Sequence, residues 1–224
     1  MEWRLPPRKE NRPVKLRITS IVLLALTSAC AKSGDIIEGQ GVLAVRTACP
    51  QVAIPAATGD ITLFDPVGRN DAAAIDVAAA MTNVRATCTD DGAFVVSTAS
   101  FDVVATRRDP SVARQVVLPY FDVAMQGGSS VVAKRVGRVA LDFAAGSIRA
   151  QTSSQATVRI ARASATLPSD VQRQLTRRRK PGDADAAIDP MTDPTIREAV
   201  TRATFEHLVG FQLTPGQLQY NATR

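Results

Sequence analysis

Three cysteines, a single histidine, a spaced set of aspartates and a run of four cations are the side chains of this 224-residue chain with chemistry to offer. The cysteines divide into one and two. Cys30 closes an apolar run, Ile21-Val22-Leu23-Leu24-Ala25-Leu26-Thr27-Ser28-Ala29-Cys30, behind a basic N-terminus. That pattern reads as a bacterial export signal ending in the lipobox-like tetrapeptide Thr27-Ser28-Ala29-Cys30, with Cys30 the lipidated first residue of the mature protein. Two other outcomes fit the same residues: cleavage within Ala29-Cys30-Ala31, which releases a soluble periplasmic protein, and an uncleaved anchor. With Cys30 used by lipid, Cys49 and Cys88 are left as a pair in an oxidising compartment, where a disulfide persists. The competing reading is a redox or metal pair, although no Cys-x-x-Cys spacing is present.

His207 lacks the motif partners of catalysis. No Gly-x-Ser-x-Gly, His-Glu-x-x-His or phosphate-loop spacing occurs in the chain, and nucleophilic catalysis needs a nucleophile and an orienting carboxylate placed around the imidazole. His207 also falls on the apolar side of a period-two pattern, so a satisfied core or sheet-edge histidine is expected. Asp183, Asp185, Asp189 and Asp193 miss the tight alternate spacing, the sixth-position glycine and the closing glutamate of a calcium loop. They read as a solvated insertion. Arg177-Arg178-Arg179-Lys180 reads mainly as a solvated charge run, with anionic lipid or an acidic partner as the other options. No catalytic residue, cofactor site or metal site is expected.

The elements that position these residues follow from charge and periodicity. Residues 1–29 hold six of the 27 basic and two of the 21 acidic side chains. The remainder is near +2, so overall basicity gives no support to nucleic-acid binding. The apolar stretch of residues 18–29 is shorter than the roughly 20 residues a membrane-crossing helix needs. Ala31, rather than an aspartate, follows Cys30 and favours the outer membrane, with the body facing the periplasm. Trp3 is the only tryptophan and lies in the signal, so aromatic stacking platforms for sugars or single strands are not expected.

Residues 30–35 read as a lipid-proximal tether and residues 36–224 as one β domain. Thr89-Asp90-Asp91-Gly92 is a hairpin turn, after which Val95, Ser97, Ala99, Phe101, Val103 and Ala105 mark one strand face. A second hairpin runs from Val116 to Phe143 around Gly127-Gly128-Ser129-Ser130, with Val139, Leu141 and Phe143 on one face and Lys134 and Arg138 on the other. Residues 156–162 alternate again. The pattern breaks over 167–204, where Pro168-Ser169-Asp170 and Asp193-Pro194 start helices. Period two returns at Phe205, His207, Val209, Phe211 and Leu213. The expected fold is a mainly β, immunoglobulin-like or fibronectin-like antiparallel sandwich of about seven strands, with a helical insertion before the last.

Four blocks together resemble a family of uncharacterised cell-envelope lipoproteins of Gram-negative bacteria. They are Ala48-Cys49-Pro50, Leu118-Pro119-Tyr120-Phe121 with Val123-Ala124, Ala133-Lys134-Arg135-Val136, and the stretch from Leu208 to Asn221 that contains Val209-Gly210-Phe211-Gln212. The resemblance implies envelope location and brings no activity. Together these readings predict a non-enzymatic envelope lipoprotein: a membrane partner through lipid on Cys30, a protein partner in the envelope and no nucleic acid. A carrier of a small ligand or ion is the alternative. A deep apolar pocket would favour the carrier, and an exposed apolar face or open strand edge would favour the interaction module.

Overall fold

The computed structural model describes residues 36–37, 41–42, 47–180 and 182–223. The expected signal peptide (1–29), Cys30 and the 30–35 tether lie outside them. The chain divides into two units, Met1–Ala44 and Val45–Arg224. In the first, β1 (Ile36–Ile37) and β2 (Gly41–Val42) pair antiparallel.

The second unit is a β-sandwich of eight strands: β3 (Gln51–Ala53), β4 (Asp60–Phe64), β5 (Ile75–Asp90), β6 (Phe94–Arg107), β7 (Arg114–Gln126), β8 (Ser130–Phe143), β9 (Arg149–Ala161) and β10 (Phe205–Phe211). Sheet I has the order β3-β10-β7-β8 and sheet II the order β4-β5-β6-β9. All neighbours are antiparallel except β3 and β10. The chain changes sheet at β3–β4, β6–β7, β8–β9 and β9–β10. The last change is made through α1 (Arg162–Ala165), α2 (Ser169–Thr176) and α3 (Pro194–Ala203). Asp193 caps α3 by accepting the Thr195 N–H at 2.8 Å, with Pro194 at the first helical position. Val171, Ile196, Ala199 and Val200 give this insertion a small core of its own.

Alternation determines what goes inside. Phe101, Val103, Leu118, Leu141, Phe143, Val209 and Phe211 fill the main core between the sheets. Val95, Ala124, Val158, Ile160, Ala165 and Phe205 form a second apolar cluster toward the insertion.

The outward faces differ. On sheet II the outward face is mixed: Thr87, Thr98 and Thr157 align across three strands, as do Arg85, Ser100 and Gln155, while Ala78, Ala80, Phe94 and Val104 share that side. On sheet I, β7 presents Val117, Pro119 and Phe121 outward, because their neighbours Val116, Leu118 and Asp122 are buried; Val123 and Met125 continue that side of the strand, Val123 being covered. A strand apolar on both faces is the pattern of one covered on both sides.

The two sheets meet along β8 and β9 through side chains. The Tyr120 hydroxyl donates to the Gln155 carbonyl at 3.3 Å, and Arg135 donates to the Thr157 carbonyl two residues further on. These carbonyls belong to the open edge of sheet II, since β9 pairs only with β6. Tyr120 reaches them across Gly137, where an added Cβ would stand 2.4 Å from the ring.

At the end of the sandwich holding the β6–β7 and β8–β9 loops, Arg107 is buried. Its guanidinium donates to the carbonyls of Ser147 (2.8 Å), Val112 (2.6 Å), Pro110 (3.2 Å) and Ala144 (2.8 Å) and lies 5.1 Å from the centroid of the Phe143 ring. One side chain thus holds both loops. Arg107→Met removes charged donors from four carbonyls, and we expect a loss of about 3 kcal/mol in urea unfolding. An unchanged midpoint would show that the loops hold without it.

Candidate functional site

His207 stands on β10 between two apolar clusters and is fully buried. Its Nε2 lies 2.9 Å from Asp122 Oδ1 on β7, and its Nδ1 lies 3.0 Å from Ser97 Oγ on β6. Ser97 and Asp122 are buried as well. One hydrogen bond joins Nε2 to the Asp122 carboxyl and another joins Nδ1 to the Ser97 hydroxyl, with the donor in each set by the tautomer of the ring. The chain of bonds crosses from sheet I to sheet II. Arg135 Nη2 approaches Asp122 Oδ2 at 3.7 Å from the surface, so the buried carboxylate meets a cation on its other side.

This is the connectivity of a serine–histidine–aspartate relay, and its chemistry is decided by access. Ser97 Oγ sits under Val95 and Ala99 on a strand between β5 and β9. A nucleophile at 1% exposure offers no approach to a carbonyl substrate. What the geometry provides is a polar layer through the sandwich. On β6 it falls at Ser97 between Val95 and Ala99, and on β10 at His207 between Phe205 and Val209. A shift of one residue on either strand turns the polar group outward and breaks all the bonds together.

Cys49 and Cys88 are bonded, with Cα atoms 6.0 Å apart. Cys88 on β5 is directly opposite Ser97 on β6, and Cys49 precedes β3 of sheet I. The disulfide is therefore a second tie between the sheets beside the polar layer.

The insertion's aspartates are used locally. Asp183 accepts the Lys180 N–H at 2.9 Å and Asp189 the Met191 N–H at 2.8 Å. Asp193 caps α3. Asp185 pairs with Arg177 and, at 3.5 Å, with Arg179 Nε. Arg178 and Lys180 stay exposed. Among the described residues no group of three or more histidine, cysteine or acidic side chains is placed to hold a metal ion.

Open troughs mark the surface of the described residues, and two of them are large. One, of about 650 Å³, runs over the outward face of sheet II past Ala78, Ala80, Val104 and Arg149. The other, of about 690 Å³, lies between the 65–70 loop and the start of α4 (Pro215–Thr223) and contains the Arg114–Asp76 ion pair. On the outward face of sheet II, Asp102 accepts from Ser153 (2.6 Å) and from Asn83 (2.8 Å). These bonds, Ser153 first, hold its carboxyl below the usual carboxylate range.

Sequence reasoning placed His207 inside but missed its partners. The available signals were an aspartate within Tyr120-Phe121-Asp122-Val123-Ala124 and a serine at an inward position of β6. It also missed α4, whose signal is Thr214-Pro215. There the Thr214 hydroxyl accepts the Gln217 N–H at 3.3 Å, and Asn221 on the same helix donates to the Ala57 and Asp60 carbonyls.

No protein-family model matches the chain, and no curated protein or solved structure matches it either.

His207→Phe strands Asp122 without its buried partner, and we expect a loss of about 3–5 kcal/mol by chemical denaturation. Ser97→Ala should cost about 1 kcal/mol. Equal small effects would show that the layer carries no stability. Reducing the 39-residue Cys49–Cys88 loop should cost about 4 kcal/mol on the chain-entropy account. Asp102 is depressed in the folded state, so its contribution is present above the unfolded pKa near 4 and is lost as pH falls through the folded value. Asp102→Asn should therefore make stability less dependent on pH below about 4; an unaltered acid limb in melts at several pH values would contradict this.

Proposed function

We propose that the protein is a non-enzymatic envelope lipoprotein, held by lipid on Cys30 in the outer membrane and facing the periplasm as a protein-interaction module. On this reading it belongs with the uncharacterised Gram-negative lipoproteins that its sequence resembles, and its sandwich is of the immunoglobulin or fibronectin kind. The observation that carries the interaction reading is the contiguous apolar outward face of β7 and β8. Sheet II mixes threonine, serine and glutamine with Ala78, Ala80, Val104 and Phe94, whereas sheet I turns out Val117 at 48% and Val136 at 57% exposure beside Phe121 and Pro119. Contiguous apolar surface on a folded domain marks an interaction site. The disulfide supports an oxidising compartment.

The carrier reading has the sheet II trough in its favour. Its volume lies in the range of ligand sites and Asp60, Thr106, Arg149 and Gln151 line it, but it is an open trough rather than a deep apolar pocket.

Intact and peptide masses of natively expressed protein, from membrane and soluble fractions, test the proposal. We expect a chain beginning at acylated Cys30, with Cys49 and Cys88 joined. A soluble chain with an unmodified N-terminus would overturn the lipoprotein reading and bring the diffusible carrier forward.

A further inference from the structure

We infer that the outward face of the β7–β8 hairpin is the docking surface, and that its partner is a protein segment with an apolar stripe flanked by carboxylates. This rests on the interaction-module reading and gives that partner a chemistry.

The apolar half of the recognition comes from the registered pairs Phe121↔Val136 and Val117↔Ala140, which place these side chains next to one another on the outward side. The surface is the face of a β-hairpin, and its one aromatic, Phe121, lies close over Gly210 of the neighbouring strand. It therefore suits a helix or sheet stacked at about 10 Å better than insertion between lipid chains.

The charged half comes from β8. From Gly127 to Leu141 the chain has no acidic residue, while Lys134 and Arg138 stand on either side of Val136 on the same face. The Lys134 ammonium lies 6.0 Å from the centroid of the Phe121 ring, and Arg138 has no carboxylate partner among the described residues. The two carboxylates on this face lie at its margins. Asp142 is bound by the Gln115 amide at 2.7 Å, and Glu206 sits on β10 beside Met125. The exposed apolar centre is thus bordered by unpaired positive charge, and a partner that covers it must supply carboxylates or leave these cations desolvated.

The test uses the full chain and two synthetic helical peptides with the same leucine stripe, one flanked by glutamate and the other by lysine, read by fluorescence anisotropy. We expect the glutamate peptide to bind at least about tenfold more tightly. The double substitution K134E/R138E should reverse the preference, and Val136→Asp should abolish binding. Thr98→Glu, on the other sheet, should change nothing. Thermal melts of each variant confirm that the exposed substitutions leave the fold intact. Absence of a preference, a preference unmoved by K134E/R138E, self-association of the chain lost in Val136→Asp, or binding to phosphatidylglycerol vesicles lost in K134E/R138E would each overturn the inference. The two proposals fail separately. An unacylated chain that still discriminates between the peptides overturns only the lipid anchor, and an acylated chain that does not discriminate overturns only this partner chemistry.

Discussion

The bond from His207 to Asp122 and Ser97 is the constraint around which the sandwich is arranged. A buried carboxylate is tolerable only where donors meet it, and the imidazole and the Arg135 guanidinium approach it from two sides. Meeting that requirement draws β10 between β3 and β7 and fixes the face that β6 turns inward. The apolar clusters on either side then have one mutual alignment. Hydrophobic burial supplies most of the driving force, yet Val, Ala and Phe would pack in several registers; the polar layer selects one.

The flanks of the sandwich are closed by different means. On the β8–β9 side, Tyr120 and Arg135 satisfy carbonyls on an otherwise open strand, so the edge of sheet II is occupied by side chains of sheet I. On the β3–β4 side both edge strands are short. The Thr58 carbonyl accepts the Phe211 N–H at 2.8 Å, and the closeness of Thr58 to Gly210 leaves no room for a Cβ there. Natural sheets manage their edges in these ways, with short strands, cations and covering segments. Apart from these edges, the outward face of sheet I exposes Val117, and Val136 side by side with Phe121.

Much of this was legible before the structure. Period two assigned the inward faces of β6, β8 and β10, because a half-buried strand writes its burial into every second residue. Asp193-Pro194 announced α3 through capping chemistry. The count of about seven strands fell one short of the eight in the sandwich, and the parallel β3–β10 pair was not foreseen: three residues carry too little pattern to declare a partner. Asp122 and Ser97 were unreadable as partners of His207 because they lie 85 and 110 residues away, and only the fold brings them together. Arg107 was missed for a related reason, since a charged residue at a strand end ordinarily faces water and its carbonyl acceptors come from loops with no sequence signature. The disulfide was the exception. Cysteine arithmetic needs no geometry.

The position of β10 in chain order has a consequence for how the molecule is made. This strand lies between β3 and β7, yet it is synthesised after every other strand of the sandwich. Until residues 205–211 arrive, sheet I is two separate pieces with facing open edges. Asp122 then has no imidazole to meet, and the hairpins of sheet II have only half a core to close upon. Pairing strands so far apart in sequence carries a loop-closure cost, and such a topology goes with slower folding across proteins. The last strand made is thus the one that joins the two pieces of its sheet.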